Sequence, residues 1–459
     1  IDRPVDTLFV GDDLDLSNCN LLVVPFSSAD VLSGSSFNTI TKYVEEGGNL
    51  VTDRRNKLIE RLGFTFTNSQ VKLHFIRDKY YPEESISWKN SQLANKFNYN
   101  ADDEIFCSDA STELPVALGR NIKEGKVIYF NTPFDPLTPF GYSYYPFAME
   151  YINRFMGLQP VIKRENLDMY FDPGFRKNTS EEELVKRWVK QGIRIIHVAG
   201  WHQYPKYTYN YAHLIKLAHA NGILVYAWIE PPQVSQKFWN DHPEWREKNY
   251  RNQDIHKDET LKASWRYPVA LTDKHCFKAA TDVYLDLLRK NDFDGVNIAE
   301  MNFEAGKGFN DPEVFTPMHP SAIREFHNRY GYNLKDIFNP GSSSYWKNNP
   351  KVKADVTRYR TDKVVEFHEA LLRELKKFAI TRPGFNVIVT FYDTYFSPEL
   401  TEYHGVSSDR MIELQKKYNF MLQPEDPQNK WSTNPNRYIE MGRYYSRHMA
   451  DSSKLMLDL

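Results

Sequence analysis

From about residue 165 the chain repeats one unit, and that repetition restricts the fold more than any other feature. A short run that is apolar almost throughout gives way to an amphipathic stretch, which leads into the next apolar run. The runs are Leu167–Asp172, Ile193–Trp201, Ile223–Glu230, Phe293–Glu300, Asn386–Asp393, Phe420–Gln423 and Lys454–Leu459. A strand with one wet face must alternate apolar and polar residues, whereas a strand covered on both faces need not. Covered strands separated by helices predict a parallel sheet, because each crossover returns the chain right-handed to the same edge. The closed form of that sheet is a TIM (β/α)8 barrel. Seven runs are present, one short of closure. Either Tyr267–Leu271 supplies the eighth strand out of order, or the chain stops before its barrel closes; the second is the expectation.

The helices are punctuated as this reading requires. Ser180 precedes Glu183 by three positions, a capping box, and Gly192 closes the helix it opens. Tyr211–Ala220 runs into Asn221-Gly222, and further amphipathic stretches cover Thr272–Lys290, Val352–Ile380, Asp409–Tyr418 and Asn436–His448. The barrel is therefore expected over residues 165–459. Residues 1–157 follow another grammar. Thr7–Val10, Leu21–Pro25, Asn49–Thr52 and Gly125–Asn131 read as buried parallel strands, with helices at Phe37–Val44 and Lys57–Leu62. This predicts a small flavodoxin-like α/β layer domain.

Composition removes several classes of function. Lys plus Arg is 58 against 60 for Asp plus Glu, so the whole chain is not built to coat nucleic acid or an anionic membrane. No run approaches the roughly 18 apolar residues of a membrane span. The cysteines, Cys19, Cys107 and Cys276, form no disulfide framework. HExxH, Walker A and dinucleotide fingerprints are all missing, so neither metal nor cofactor is expected, and no GxSxG elbow supports a serine hydrolase. The surplus lies in aromatics, 15% of the chain. Flat side chains in such numbers suit clefts that hold ring-shaped ligands. Because the chain opens at Ile1, removal of a leading segment and export to the periplasm, cell surface or exterior are the expectation.

Active sites of parallel barrels form at the carboxyl ends of the strands. Within a residue or two, the apolar runs end on Asp172, His202, Glu230, Glu300, Asp393, Glu425 and Asp458. An Asp there commonly caps the next helix, an even alternative for Asp172 and Asp393. Glutamates are poor caps, and Glu300 ends an apolar strand most cleanly. Acids sharing one pocket cannot all ionise freely, and the separation of their pKa values is what acid/base catalysis uses. Trp201, Trp228 and Tyr395 lie beside these acids, where their faces suit the apolar CH face of a sugar.

Two resemblances add to this. VVPFSSADVL, ITKYVEEGGNLV and GKVIYFNTP are similar to the glutamine-amidotransferase-like domains attached to many carbohydrate-active enzymes. Catalytic members place a cysteine at a strand-to-helix elbow; neither Cys19 nor Cys107 stands there, so residues 1–157 are expected to be an accessory scaffold. AHANGILVYAWIE, FWNDHPEW and YLDLLRKNDFDGVNIAEMNFE resemble glycosyl-hydrolase-like barrels, whose members often carry Asp followed by a second acid or an aromatic where this chain has Ala299-Glu300. That resemblance implies a glycoside hydrolase acting on a polysaccharide or oligosaccharide. Glu300 is expected to protonate the leaving oxygen, with Glu425 or Asp458 as the second catalytic acid. Asp172, Trp201, His202, Trp228, Glu230, Asn297, Asp393 and Tyr395 are expected to bind sugar. The alternative is a barrel that binds carbohydrate without cleaving it. Five ionised acids in one groove would favour amine-bearing glycans over uronates, unless a cation such as Arg194 or Lys206 pairs with them.

Overall fold

The computed structural model describes Leu8 and residues 14–84, 86–134, 144–158, 167–172, 179–200, 210–255, 266–426 and 436–458. It divides into two compact units, Ile1–Val161 with Lys430–Asn436, and Ile162–Asn429 with Arg437–Leu459.

The first unit holds a seven-stranded sheet. Its strands are β1 (Leu22–Val24), β2 (Asn49–Asp53), β3 (Thr65–Asp78), β4 (Ile86–Asn98), β5 (Glu104–Asp109), β6 (Pro115–Ile122) and β7 (Gly125–Phe130). The spatial order is β1-β2-β7-β6-β5-β3-β4. β1, β2 and β7 are parallel, as their aliphatic runs predict. In β2 and β7, Val51 and Ile128 pack into one core cluster while their neighbours Leu50 and Val127 pack into another. These strands are thus covered on both faces. The expected run Thr7–Val10 lies, apart from Leu8, outside the described residues. Beyond the parallel layer the sheet is antiparallel, which the sequence reading did not anticipate. Cys107 lies buried in β5 and burial pushes its thiol well up, while Cys19 precedes β1. Neither stands at the turn from β1 into the helix Phe26–Ala29.

The second unit holds a six-stranded parallel sheet: β8 (Asp168–Phe171), β9 (Ile195–Ala199), β10 (Leu224–Ile229), β11 (Gly295–Ala299), β12 (Asn386–Tyr392) and β13 (Met421–Glu425). Spatial order equals chain order. Past β13, Leu455 and Asp458 make parallel bridges to Leu422 and Glu425. All the apolar runs of the barrel region therefore enter the parallel layer. Tyr267–Leu271 does not: Pro268 and Val269 bridge antiparallel to Gln233 and Arg246, so the out-of-order eighth strand is excluded. Among the described residues no pairing joins β8 to the Leu455–Asp458 segment.

The sheet is strongly curled. Asn297 on β11 bonds His197 on β9 and Gln423 on β13, each time across an intervening strand. Two strand spacings are about 9.6 Å, so such contacts need a concave face. On the convex face Ile196, Val198, Val225, Val296, Ile298, Val389 and Leu422 pack into one core with the surrounding helices. The helices fall where expected: Glu181–Gln191, Tyr211–Ala220, Lys274–Lys290, Pro350–Ile380, Ser408–Tyr418 and Asn436–His448. Ser180 Oγ accepts from the Glu183 amide, completing the cap. Between β11 and β12 an insertion adds the helix Pro320–Tyr330 and a separate core around Phe309, Phe315, Phe326 and Tyr359. Among the described residues no helix is long and apolar enough to cross a membrane.

One buried group in this scaffold fixes a pH dependence. His368, within Pro350–Ile380, is buried, its Nδ1 donating to the Val364 carbonyl while Nε2 has no partner. Burial pushes its pKa from 6.5 down to about 4. Between those values the unfolded chain binds a proton that the folded chain refuses, so stability falls as pH drops from 6.5 towards 4. The full loss is about 3 kcal/mol at roughly 1.4 kcal/mol per unit. His368→Leu should flatten this acid limb. Unfolding midpoints at pH 4.5 and 7.5 check it, and an unchanged difference between wild type and variant would refute it.

Candidate active site at the carboxyl ends of the second sheet

The concave face carries two polar layers where a closed barrel normally packs branched aliphatic side chains. In the lower one, Asp168 Oδ2 accepts from His197 Nε2 at 3.1 Å and Asn297 Nδ2 donates to His197 Nδ1 at 3.3 Å. Asn297 Nδ2 also donates to Gln423 Oε1 at 2.9 Å. Thr390 Oγ1 lies 2.9 Å from both Asn297 Oδ1 and Gln423 Oε1. Gln423 Nε2 then donates to Asp458 Oδ2 at 3.3 Å. The chain crosses from the first strand of the sheet to its last segment. Buried polar groups are stable in such numbers only when they satisfy one another, and a satisfied network rigidifies the residues above it.

Those residues are Glu230 and Glu300, the first residues past β10 and β11, with Tyr392 and Glu425, the last residues of β12 and β13. Glu300 has φ +49°, a left-handed backbone in which a side chain with a Cβ costs about 1–2 kcal/mol. Such strain persists where surrounding contacts hold it, and it concentrates at functional sites. Here the contacts are plain. Arg266 Nη2 pairs with Glu300 Oε2 at 2.6 Å, and its Nη1 with Glu304 Oε1 at 3.1 Å. The Tyr392 hydroxyl donates to the same Glu300 oxygen at 3.2 Å.

The neighbouring acids are pushed the other way. Burial, and then the charge of Glu300, raise Glu230 to about 7, although the Trp228 indole N–H donates to its Oε1 at 2.8 Å. Burial, followed by Glu300 and Asp458, holds Glu425 well above the usual carboxylate range. Burial and Glu300 also raise the Tyr392 phenol, keeping it a donor. Burial alone would lower Arg266, but Glu300 and Glu304 outweigh it. The site therefore holds an ion-paired glutamate between two glutamates whose pKa values are raised, that of Glu230 to about 7.

The sequence candidates divide. Glu230, Glu300, Glu425, Asp458 and Trp228 converge, and the charge of Asp172 reaches Glu230. Asn297 is fully buried in the lower layer, where it holds the scaffold. Asp393 is also fully buried; it accepts from the Tyr395 and Phe396 amides and from the Tyr445 hydroxyl, so it shapes the loop after β12. Tyr395 stacks on Tyr444 at 3.6 Å. Trp201, His202 and Lys206 lie outside the described residues. Arg194 precedes β9 and so stands at the amino end of the sheet, away from the acids. Among the described residues the cation that pairs with them is Arg266, which the sequence reading missed together with Glu304 and His197. Among the described residues no group of His, Cys, Asp and Glu is disposed to hold a metal ion.

Comparison with protein-family models and with curated proteins gives no match. Among solved structures the chain is similar to the PgaB (BpsB) glycoside hydrolase domain from Bordetella bronchiseptica, at 14% identity and TM-score 0.43, covering 63% of this chain and 81% of that one. It is also similar to the β-galactosidase from Bacillus circulans sp. alkalophilus, at 12% identity and TM-score 0.41, covering 61% and 42%. A GH18 chitinase from Pseudoalteromonas aurantia gives 13% identity and TM-score 0.31 over 63% and 78%. Similarity this low leaves the chain's activity to be read from its own side chains.

Proposed function

We propose that the second unit is a glycoside hydrolase whose reaction runs on Glu230, Glu300 and Glu425. The observation that supports it is the split in their electrostatics: one glutamate is ion-paired, and burial raises the pKa values of its neighbours. Glycosidic cleavage needs both forms side by side, an acid for the leaving oxygen and an anion for the anomeric carbon or for water. Glu230 suits the acid, because a donor whose pKa lies near the working pH can give and regain its proton. Glu300, bonded by Arg266 and Tyr392, suits the anion. Glu425, its pKa raised by burial and by the charges of Glu300 and Asp458, bonds a sugar hydroxyl. These roles exchange the parts expected from sequence, in which Glu300 was the donor. The groove is also less acidic than five free carboxylates would make it, since Arg266 lies between Glu300 and Glu304 and burial raises the pKa of Glu425. The first unit, with no cysteine at its β1 turn, acts as an accessory unit.

The test is product release from labelled oligosaccharides of several linkages as a function of pH. Glu230 is protonated below about 7 and loses its proton above, so kcat/KM should fall on the alkaline side of about 7. Glu230→Gln should turn over slowly and lose that limb. Glycan binding with no product at any pH would replace this reading with a non-catalytic carbohydrate-binding barrel.

A further inference from the structure

Both donors on Glu300 meet one atom. Arg266 Nη2 reaches Oε2 at 2.6 Å, and the Tyr392 hydroxyl reaches the same oxygen at 3.2 Å. A carboxylate oxygen accepts about two hydrogen bonds, so Oε2 is filled. Among the described residues no group bonds Oε1. An arginine beside a carboxylate ordinarily takes both oxygens, because its planar fork matches them. Arg266 does not, and its second partner gives the reason. Its other terminal nitrogen, Nη1, is held by Glu304 Oε1 at 3.1 Å. Glu304 is itself fixed through its main chain. Its amide donates to Thr316 Oγ1 at 2.7 Å, and its carbonyl accepts from the Thr316 amide at 2.9 Å.

We propose that Glu304 is a positioning residue that divides the Arg266 fork, so that Glu300 Oε1 is the atom presented to the substrate. As the glycosidic bond breaks, its electron pair leaves with the oxygen, which takes the Glu230 proton. Glu300 Oε1 either bonds the anomeric carbon or takes the proton of the water that does. Oε2 keeps its bonds to Arg266 and Tyr392 throughout, so the carboxylate stays oriented while its other oxygen reacts. Without Glu304, Nη1 loses its acceptor and the fork closes on Oε1. That oxygen must then give up a charge-assisted hydrogen bond before it can react. This inference rests on the proposed glycosidase reading, and the experiment separates the two.

Cellohexaose, mannohexaose, chitin hexamer and a galactan are offered to wild type, Glu304→Ala and Glu304→Gln, and crystal structures of both variants are determined. Both substitutions keep the main-chain bonds to Thr316, and unfolding midpoints check the fold; Glu304→Ser repeats the test if Glu304→Ala does not fold. For Glu304→Ala, kcat should fall roughly ten- to hundredfold with KM within about threefold, the cost of a misplaced reacting atom. Glu304→Gln keeps an acceptor for Nη1 and should recover most of that loss. In the Glu304→Ala crystal, Arg266 Nη1 should lie within hydrogen-bond distance of Glu300 Oε1. In the Glu304→Gln crystal it should stay on the side chain at position 304. Wild-type kcat in Glu304→Ala, a loss carried by KM alone, or an Arg266 that still bonds only Oε2 overturns the proposal. A Glu304→Gln variant as slow as Glu304→Ala assigns the effect to the charge of Glu304 and overturns it too. If wild type cleaves no glycan, the glycosidase reading fails and the reactive role of Oε1 falls with it. The Glu304→Ala crystal then decides by itself whether Glu304 divides the fork.

Discussion

Glu300→Gln should lower turnover by roughly a hundredfold to ten-thousandfold, the usual worth of a positioned acid or base, while the protein still folds. Gln keeps the shape of Glu and meets the same left-handed backbone, so no strain is added at φ +49°. Arg266 retains Glu304 at 3.1 Å, and the Tyr392 hydroxyl can still donate to the amide oxygen. What disappears is the negative charge. Two consequences follow from that one loss. The anion that attacks the anomeric carbon or activates water is gone, so kcat falls. The charge that helps to raise Glu230 is gone as well, so whatever activity remains should lose its alkaline limb at a pH below about 7. A structural role for Glu300 would not move that limb. The rate and pH profile of Glu300→Gln, with its unfolding midpoint, test all of this; wild-type turnover would end the assignment.

How far this site was legible in the sequence depends on what placed each residue. The strands were legible because burial on both faces leaves near-continuous apolar runs, such as Val387–Tyr392, that no loop produces by accident. A parallel sheet puts every carboxyl end on one side, so reading the last residue of each run was enough to find Glu230, Glu300 and Glu425. The same rule brought in Asp393, whose carboxylate serves the loop, the capping alternative that strand-end aspartates always carry. Arg266 and Glu304 sit on connections between elements, where no period marks them. The insertion core around Phe309 and Phe315 was hidden for the same reason. In the first unit, β3 and β4 escaped because β3 is mostly exposed and polar, so it lacks a strand's usual apolar signal. The roles of the acids were not legible either. A pKa follows from burial and from the sign of the nearest charges, which a strand-end position does not reveal: burial and the charge of Glu300 raise Glu230 and Glu425, against the opposing charge of Arg266.

Arg360→Met should cost about 3–5 kcal/mol and lower the unfolding midpoint of the second unit by roughly 10 °C. Arg360 is fully buried within Pro350–Ile380, and among the described residues its guanidinium meets no carboxylate directly. Nε donates to the Thr316 carbonyl at 2.8 Å, Nη2 to the Tyr403 carbonyl at 2.7 Å, and Nη1 to the Glu402 carbonyl. The Phe315 ring lies 4.3 Å from its central carbon. Burial lowers its pKa to about 9, with Glu402 and Glu304 opposing, so it remains charged at neutral pH. Met fills much of the volume but supplies no donor, and each buried carbonyl left without a partner costs about 1–3 kcal/mol. The backbone leaves little room for repacking. Gly405 approaches so closely that a Cβ there would stand 3.1 Å from the Arg360 Cβ, and its φ of +72° already favours glycine. The segments Arg360 ties together carry Glu304, the second partner of Arg266, and His404, whose ring packs edge-on against Tyr392 at 4.8 Å. Below its melting range, the Met variant should therefore also turn over more slowly, because Arg266 loses its brace on the side away from Glu300. Arg360→Lys, with one cation but fewer donors, should fall between the two in stability. A Met variant within about 1 kcal/mol of wild type would mean that those carbonyls find other donors, and that the Glu304 segment is held by the insertion core alone.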